Sequence, residues 1–185
     1  TKTIVSKGKP SVRLDEKWKN GDQITMQIPM DLRFERRYNN SISLIRGPLY
    51  FSLRIDKEYK NVKINYDNFA FKGSVDWEIS PKSPWNYGLL IDTGNTMRGF
   101  SVKENEIWRF PFSDKGDMIW SADSGKYIVI QQDAPLVIRT RGIKIPSWSI
   151  KNNSADVPPI SPVKPEGDPE IITLVPYGCA RLRIT

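Results

Sequence analysis

IITLVPYGCARLRIT, residues 171–185, contains two short apolar runs joined by Pro176, Tyr177 and Gly178. Apolar positions alternate within each run, which is the pattern of a strand with one buried face. Proline and glycine between the runs indicate a turn. The stretch therefore predicts a strand, a turn and a second strand at the end of the chain.

Similar patterns recur along most of the chain. Apolar residues occupy every second position of 24–30, and 32–34 continues the same inward face past Pro29, which indicates an edge strand or a bulge. Tyr38-Asn39-Asn40 predicts a hairpin connection, and Arg46-Gly47-Pro48 predicts a bend between two strands of 41–55. Further strand patterns lie at 99–103, 127–131, 135–140 and 142–148.

Helical periodicity is missing by comparison. Nowhere do apolar residues keep a period of 3.6 for three turns, and the best helical candidate, 86–92, is a short turn that is equally compatible with a strand. Many short strands must bury their apolar faces against another sheet. We therefore predict an all-β fold, an antiparallel, jelly-roll-like β-sandwich with little or no helix.

The chain length predicts one domain. A chain of 185 residues buries roughly 70% of its unfolded surface, enough for one substantial core. Residues 151–170 carry five prolines and predict an extended surface strap, with a docking ligand for an aromatic groove as the alternative. We expect a sandwich in 1–150, the strap in 151–170, and a final segment, 171–185, that returns to the same sandwich.

Composition excludes several kinds of chemistry. The chain has no histidine, a single cysteine (Cys179) and no glycine-rich phosphate loop, so we expect no cofactor and no metal site. Its formal charge is +7, but acidic residues interrupt the basic stretches, and Arg139 and Arg141 fall on one strand face. This distribution favours solvated strand faces over a nucleic-acid partner. No run approaches the roughly 18 apolar residues of a membrane helix.

The aromatic stretch around 76–92 contains the candidate binding residues. Sugar rings stack their C–H faces on aromatic rings and bond to neighbouring polar groups. The candidates for carbohydrate binding are Trp77, Trp85, Tyr87, Asp76 and Glu78. The alternative is that these rings plug the ends of the sandwich. A catalytic pair of carboxylates, with Asp92 as a further candidate, remains an open third interpretation.

Several ordered motifs carry a resemblance to a known family. These are WKNGDQITMQIPMDLR (18–33), SLIRGPLYFSLRI (43–55), DWEISPKSPWNYGLLID (76–92) and the final PYGCARLR. Together they resemble the C-terminal β-sandwich region of the β-L-arabinofuranosidase-like glycoside hydrolases. The resemblance implies a catalytic α-helical barrel that belongs to the same parent chain and is absent here. The family's catalytic cysteine is held near zinc by other cysteines, and Cys179 does not match that site.

The resemblance leads to a functional expectation. The chain is expected to be a non-catalytic accessory domain of a bacterial, secreted or periplasmic glycoside hydrolase acting on arabinose-containing or related plant glycans. It would support the barrel and expose apolar surface when isolated. The first alternative is an autonomous carbohydrate-binding module with exposed, roughly coplanar rings. The second is a self-standing enzyme with two acids facing each other across a groove.

Overall fold

The computed structural model describes residues 11–62, 76–92, 94–95, 97–107, 112, 119–121, 126–128, 134–164 and 166–184. Strands dominate this part of the chain. They are β1 (Leu32–Arg36), β2 (Ile42–Arg46), β3 (Leu49–Leu53), β4 (Lys57–Val62), β5 (Asp76–Pro81), β6 (Tyr87–Leu89), β7 (Ser101–Glu104), β8 (Ile119–Ser121), β9 (Lys126–Ile128), β10 (Leu136–Lys144), β11 (Ile150–Lys151), β12 (Ser154–Ala155) and β13 (Glu170–Pro176). Among the described residues, the helical elements are two 3-10 turns, at Tyr38–Asn40 and at Tyr177–Cys179.

Seven of these strands form one antiparallel sheet. Its order is β1-β2-β3-β13-β10-β6, and β7 pairs with β10 beside β6. Three two-stranded hairpins, β4-β5, β8-β9 and β11-β12, accompany it. The all-β, antiparallel prediction with little or no helix is therefore confirmed.

The core lies inside the curl of this sheet. Its buried side chains come from β13, from strands on both sides of it and from Ile55 just after β3: Leu44, Phe51, Leu53, Ile55, Leu136, Ile138, Ile172 and Leu174. Phe34 on β1 meets Phe100, next to β7, with ring centroids 5.5 Å apart. The guanidinium of Arg46 on β2 lies 2.9 Å from the carboxylate of Glu104 on β7. These contacts join the β1-β2 end of the strand order to β7, so the sheet curls around its own core.

Strand β10 shows why the alternating pattern predicts this fold. Its buried residues include Leu136 and Ile138, whereas Arg139 and Arg141 are exposed. Since successive side chains of a strand point to opposite faces, one face enters the core, and the other exposes the two arginines between Val137 and Ile143, which are themselves buried. The two runs predicted at 135–140 and 142–148 form this single strand up to Lys144, and a turn follows at Pro146.

The predicted turns are also confirmed. Tyr38–Asn40 connects β1 to β2, with Asn39 and Asn40 at φ angles of 53° and 58°. Asparagine is among the residues that tolerate this left-handed conformation. Gly47, at φ 56°, forms the turn between β2 and β3 where a bend was predicted.

The strand predicted at 24–30 is wrong. Residues 22–31 contain no strand, and Ile24, Met26 and Ile28 are 62%, 78% and 69% exposed. A strand needs a neighbour that accepts its backbone hydrogen bonds, and none of the described strands pairs with this segment. Pro29 lacks an amide donor, which further disfavours a paired strand.

The C-terminal prediction is half right. The first run forms β13, but the second run, 181–184, is not a strand. Its end still contacts β3, because the Leu53 amide donates to the Ile184 carbonyl at 3.0 Å, and the Ser52 hydroxyl bonds to both backbone groups of Ile184. A serine side chain thus replaces part of the ladder that a regular strand would form.

The remaining predictions have mixed outcomes. Residues 86–92 contain strand β6 rather than a helical turn, and 99–103 corresponds to β7, Ser101–Glu104. The run 127–131 overlaps β9, while 129–131 lie outside the described residues. Residues 151–155 belong to a small hairpin. The described residues of 156–169, which form the rest of the predicted strap, contain no strand. The grouping of 1–150, 151–170 and 171–185 into one domain stays a prediction.

Candidate functional site

Two of the predicted aromatic residues lie where the core ends at β6. Trp85 and Tyr87 are partly buried and pack against the main core cluster. Trp85 meets Trp148 edge-on, with centroids 5.3 Å apart and planes inclined by 71°. The Trp148 indole donates to the Asp156 carbonyl at 2.7 Å. These rings are therefore held in packing contacts, and this pair is not coplanar.

Tyr87 also belongs to a polar cluster on neighbouring strands. Its hydroxyl donates to a Glu170 carboxylate oxygen at 2.7 Å, and the Lys144 ammonium lies 2.6 Å from the other oxygen. Hydrogen bonding to Lys144, and then to Tyr87, lowers the pKa of Glu170. Burial, followed by the hydrogen bond to Glu170, raises the pKa of Tyr87, and the bond to Glu170 raises the pKa of Lys144. The cluster ties β6, β10 and β13 together.

This cluster predicts a pH-dependent stability. Because the pKa of Glu170 is held below its ordinary value of 4.5, its carboxylate stabilises the folded state above that value. This contribution is lost as the pH falls through the lower folded-state pKa. We expect Glu170→Gln to reduce the urea midpoint near neutral pH and to differ less from the wild type in acid. A midpoint difference that is equal at both pH values would contradict this role.

The other predicted residues lie on the β4-β5 hairpin. Asp76 and Trp77 begin β5, but their side chains lie outside the described part. Glu78 is exposed and lies 3.6 Å from the Lys60 ammonium across the hairpin. The structure therefore does not bring Glu78 together with Trp85 and Tyr87 by any described contact. A carbohydrate role for these five residues stays a prediction.

A separate open cleft lies between the two 3-10 turns. Its volume is about 700 Å³, within the range of small-molecule sites. We call it the tyrosine cleft, and its defining residues are Arg37, Tyr38, Tyr50, Pro158, Pro176 and Tyr177. Tyr38 is 70% exposed and Tyr177 is 44% exposed. Two tyrosines at the mouth of a cleft give it aromatic walls that solvent can reach.

Electrostatic contacts fix one wall of the tyrosine cleft. The Tyr50 hydroxyl donates to Glu35 at 2.5 Å, and this hydrogen bond raises the pKa of Tyr50. The Arg37 guanidinium lies 3.4 Å from the same carboxylate and 5.1 Å from the centre of the Tyr50 ring. Arg37 is thus paired with an acid while it covers an aromatic ring.

The proline-rich strap forms a second wall. Asn39 donates its side-chain amide to the Pro158 carbonyl at 2.8 Å, and Asn40 donates to the Ser161 carbonyl at 2.9 Å. The Ser161 amide in turn donates to the Asn39 carbonyl at 2.9 Å. These bonds hold Pro158 beside the turn that carries Tyr38.

An exposed apolar row lies on the N-terminal side of β1. We define the apolar row as Ile24, Met26 and Ile28. The segment is attached at its end, because the side chain of Met30 covers Gly47, where an added Cβ would lie 2.8 Å from Met30 Cγ. The Gly47 amide also donates to the Asp31 carbonyl at 3.4 Å. The row is therefore connected to the β2-β3 turn while its own side chains face solvent.

The described residues show neither a metal site nor a membrane-spanning helix. The described residues contain no cluster of three or more metal-ligating side chains, and Cys179 packs against a small apolar cluster beside Ala180. Among the same residues, no helix is long and apolar enough to cross a membrane.

Comparison with known proteins identifies no relative: no family model, no curated protein and no solved structure matches this chain. The resemblance to glycoside hydrolases therefore stays a prediction from the motifs.

Sequence analysis did not identify the tyrosine cleft. Its defining residues come from three parts of the sequence, 37–50, 158 and 176–178. Residues 176–178 meet 37–50 because β13 pairs with β3, and Pro158 is held there by Asn39. The available signal was that Tyr38 and Tyr177 each occupy a predicted turn, where a large side chain is readily exposed.

Proposed function

We propose that this chain is a non-catalytic accessory domain of a glycoside hydrolase and packs against the catalytic α-helical barrel of its parent chain. The ordered motifs at 18–33, 43–55, 76–92 and the end of the chain support the family. In this proposal the parent acts on arabinose-containing or related glycans outside the cytoplasm. The isolated domain itself turns over no glycoside and binds neither nucleic acid nor membrane.

The apolar row is the observation that carries the docking proposal. Its three side chains are each more than 60% exposed and alternate with Thr25 and Gln27. Large exposed apolar patches mark interaction surfaces, and one short segment here contributes three large exposed apolar side chains. In the proposal, a strand or groove of the catalytic domain covers this row and pairs with its backbone groups, which none of the described strands does.

Charge placed on the apolar row tests the docking. We expect Met26→Glu with Ile28→Glu in the parent protein to weaken the packing between the domains, because an unpaired charge is costly to bury. We expect the equilibrium constant between docked and undocked domains to change by more than about tenfold. This change corresponds to about 1.4 kcal/mol. Thermal unfolding, followed by calorimetry, should change from one coupled transition to two.

The matched control adds the same charge to the polar side of the segment. Gln23→Glu with Gln27→Glu changes the net charge equally but leaves the apolar row intact. The proposal expects the control to unfold like the wild type. If both variants unfold like the wild type, the row does not dock.

The alternative of an autonomous carbohydrate-binding module on Trp77, Trp85 or Tyr87 has less support. It needs exposed and roughly coplanar rings, whereas Trp85 is partly buried and lies at 71° to Trp148. Turnover of an aryl arabinofuranoside by the isolated chain would instead support the enzyme interpretation and overturn the accessory role.

A further inference from the structure

Two rings of the tyrosine cleft are held in place by their own contacts. The Tyr50 hydroxyl is bonded to Glu35. One face of the Tyr177 ring is covered by the Arg183 guanidinium, 4.4 Å from the ring centre, and Arg183 Nε donates to the Ala180 carbonyl at 2.8 Å. A ligand that stacks on walls fixed in this way loses less free energy to side-chain ordering.

The mouth of the cleft offers hydroxyl groups. Within the described part of the chain, the hydroxyls of Tyr38 and Tyr177 form no hydrogen bond. Each is both a donor and an acceptor. A ligand with several hydroxyls would therefore find partners beside each ring.

The described lining of the cleft contains one charged side chain. Arg37 is the charged residue among the described lining, and Glu35 lies 3.4 Å from it. Arg183, whose guanidinium lies against the Tyr177 ring, adds a positive charge nearby, whereas the acid compensates the Arg37 guanidinium. The guanidinium still has N–H donors to spare, since it carries five.

We propose that the tyrosine cleft binds a short neutral saccharide. Sugar rings present apolar C–H faces that suit the phenol rings of Tyr38 and Tyr177. The hydroxyls of the sugar suit the phenol hydroxyls and the Arg37 donors. The volume of about 700 Å³ is of the size that ligand pockets commonly have.

A proline-rich peptide is the competing occupant of an aromatic cleft. Such a peptide presents backbone carbonyls that need N–H donors. The side-chain amides of Asn39 and Asn40 beside the cleft already donate to Pro158 and Ser161 of this chain's own strap. The groups that remain are the rings, their hydroxyls and the Arg37 N–H groups, which together suit the C–H faces and the hydroxyls of a saccharide.

The test uses the isolated chain with trisaccharides of arabinose, xylose and glucose as probes. Backbone amide NMR shifts are recorded during each titration. We expect at least one trisaccharide to shift amides of 37–41 and 177–179. Tyr38→Ala with Tyr177→Ala should weaken its binding by at least about tenfold, a loss of about 1.4 kcal/mol. Both side chains are exposed, so the variant should remain folded, which its amide spectrum also reports.

Two control variants test whether the loss of saccharide binding comes from the tyrosine rings of the cleft. Tyr38→Phe keeps the ring and should retain more of the affinity than Tyr38→Ala. Ile150→Ala changes an exposed apolar side chain on β11 outside the cleft and should leave saccharide binding unchanged. The proposal is overturned if no trisaccharide shifts the cleft amides, if the double tyrosine variant binds like the wild type, or if a proline-rich peptide alone occupies the cleft. Since this test needs no parent protein, its failure is separate from failure of the docking proposal.

Discussion

Removal of residues 170–185 is expected to abolish cooperative folding. This segment contains β13, which pairs with β3 on one side and β10 on the other. Ile172, Leu174 and Val175 of β13 are 6%, 6% and 3% exposed. Without the strand, β3 and β10 each lose their backbone partner on one side. The core also loses one wall, and each large aliphatic side chain contributes about 1.5–3 kcal/mol by burial.

Urea unfolding followed by circular dichroism measures this effect. The full chain should unfold in one sigmoidal transition, and the truncated chain should show none. An insertion of four glycine and serine residues after Gly167 is the control, since that exposed position lies before β13 and loop lengthening costs little. A truncated chain with the same transition as the full chain would show that 171–185 is not part of the predicted common domain.

Ile138→Ala is expected to lower the free energy of unfolding by about 2–5 kcal/mol, the range for emptying a buried aliphatic site. Ile138 is 0% exposed and lies opposite Leu174 on β13 and Val102 on β7. Its truncation leaves a cavity at the middle of the seven-stranded sheet, where the surrounding ladders limit collapse.

The matched control is Ile171→Ala on the neighbouring strand. Ile171 is 70% exposed, so the same substitution should change the free energy of unfolding by no more than about 0.5 kcal/mol. Urea titration of both variants measures the difference. Equal destabilisation by the two substitutions would contradict the placement of the core inside the curl.

Alternation in the sequence predicted strands well where a neighbouring strand exists. Strand β10 has a partner on each side and follows its pattern of buried and exposed residues. The segment 24–30 alternates equally clearly, yet none of the described strands pairs with it. Sequence periodicity reports which face of a strand would be apolar, but only tertiary contacts decide whether the strand forms.

Local sequence density directed the prediction of a site to the stretch 76–92. Trp77, Trp85 and Tyr87 are close in sequence, which drew attention to them. Trp85 and Tyr87 pack against the core, and the more open aromatic surface at Tyr38 and Tyr177 comes from two distant turns. Such a cleft depends on strand order, which short motifs do not specify.

The most direct test of the proposed docking is amide hydrogen exchange of residues 22–28, measured in the isolated chain and in the proposed parent protein. Amides of β10 serve as the internal reference and should be protected in both. The account predicts fast exchange of 22–28 in the isolated chain and at least about tenfold slower exchange in the parent, because docking supplies hydrogen-bond partners. Equally fast exchange in both proteins would contradict the proposed role of the apolar row.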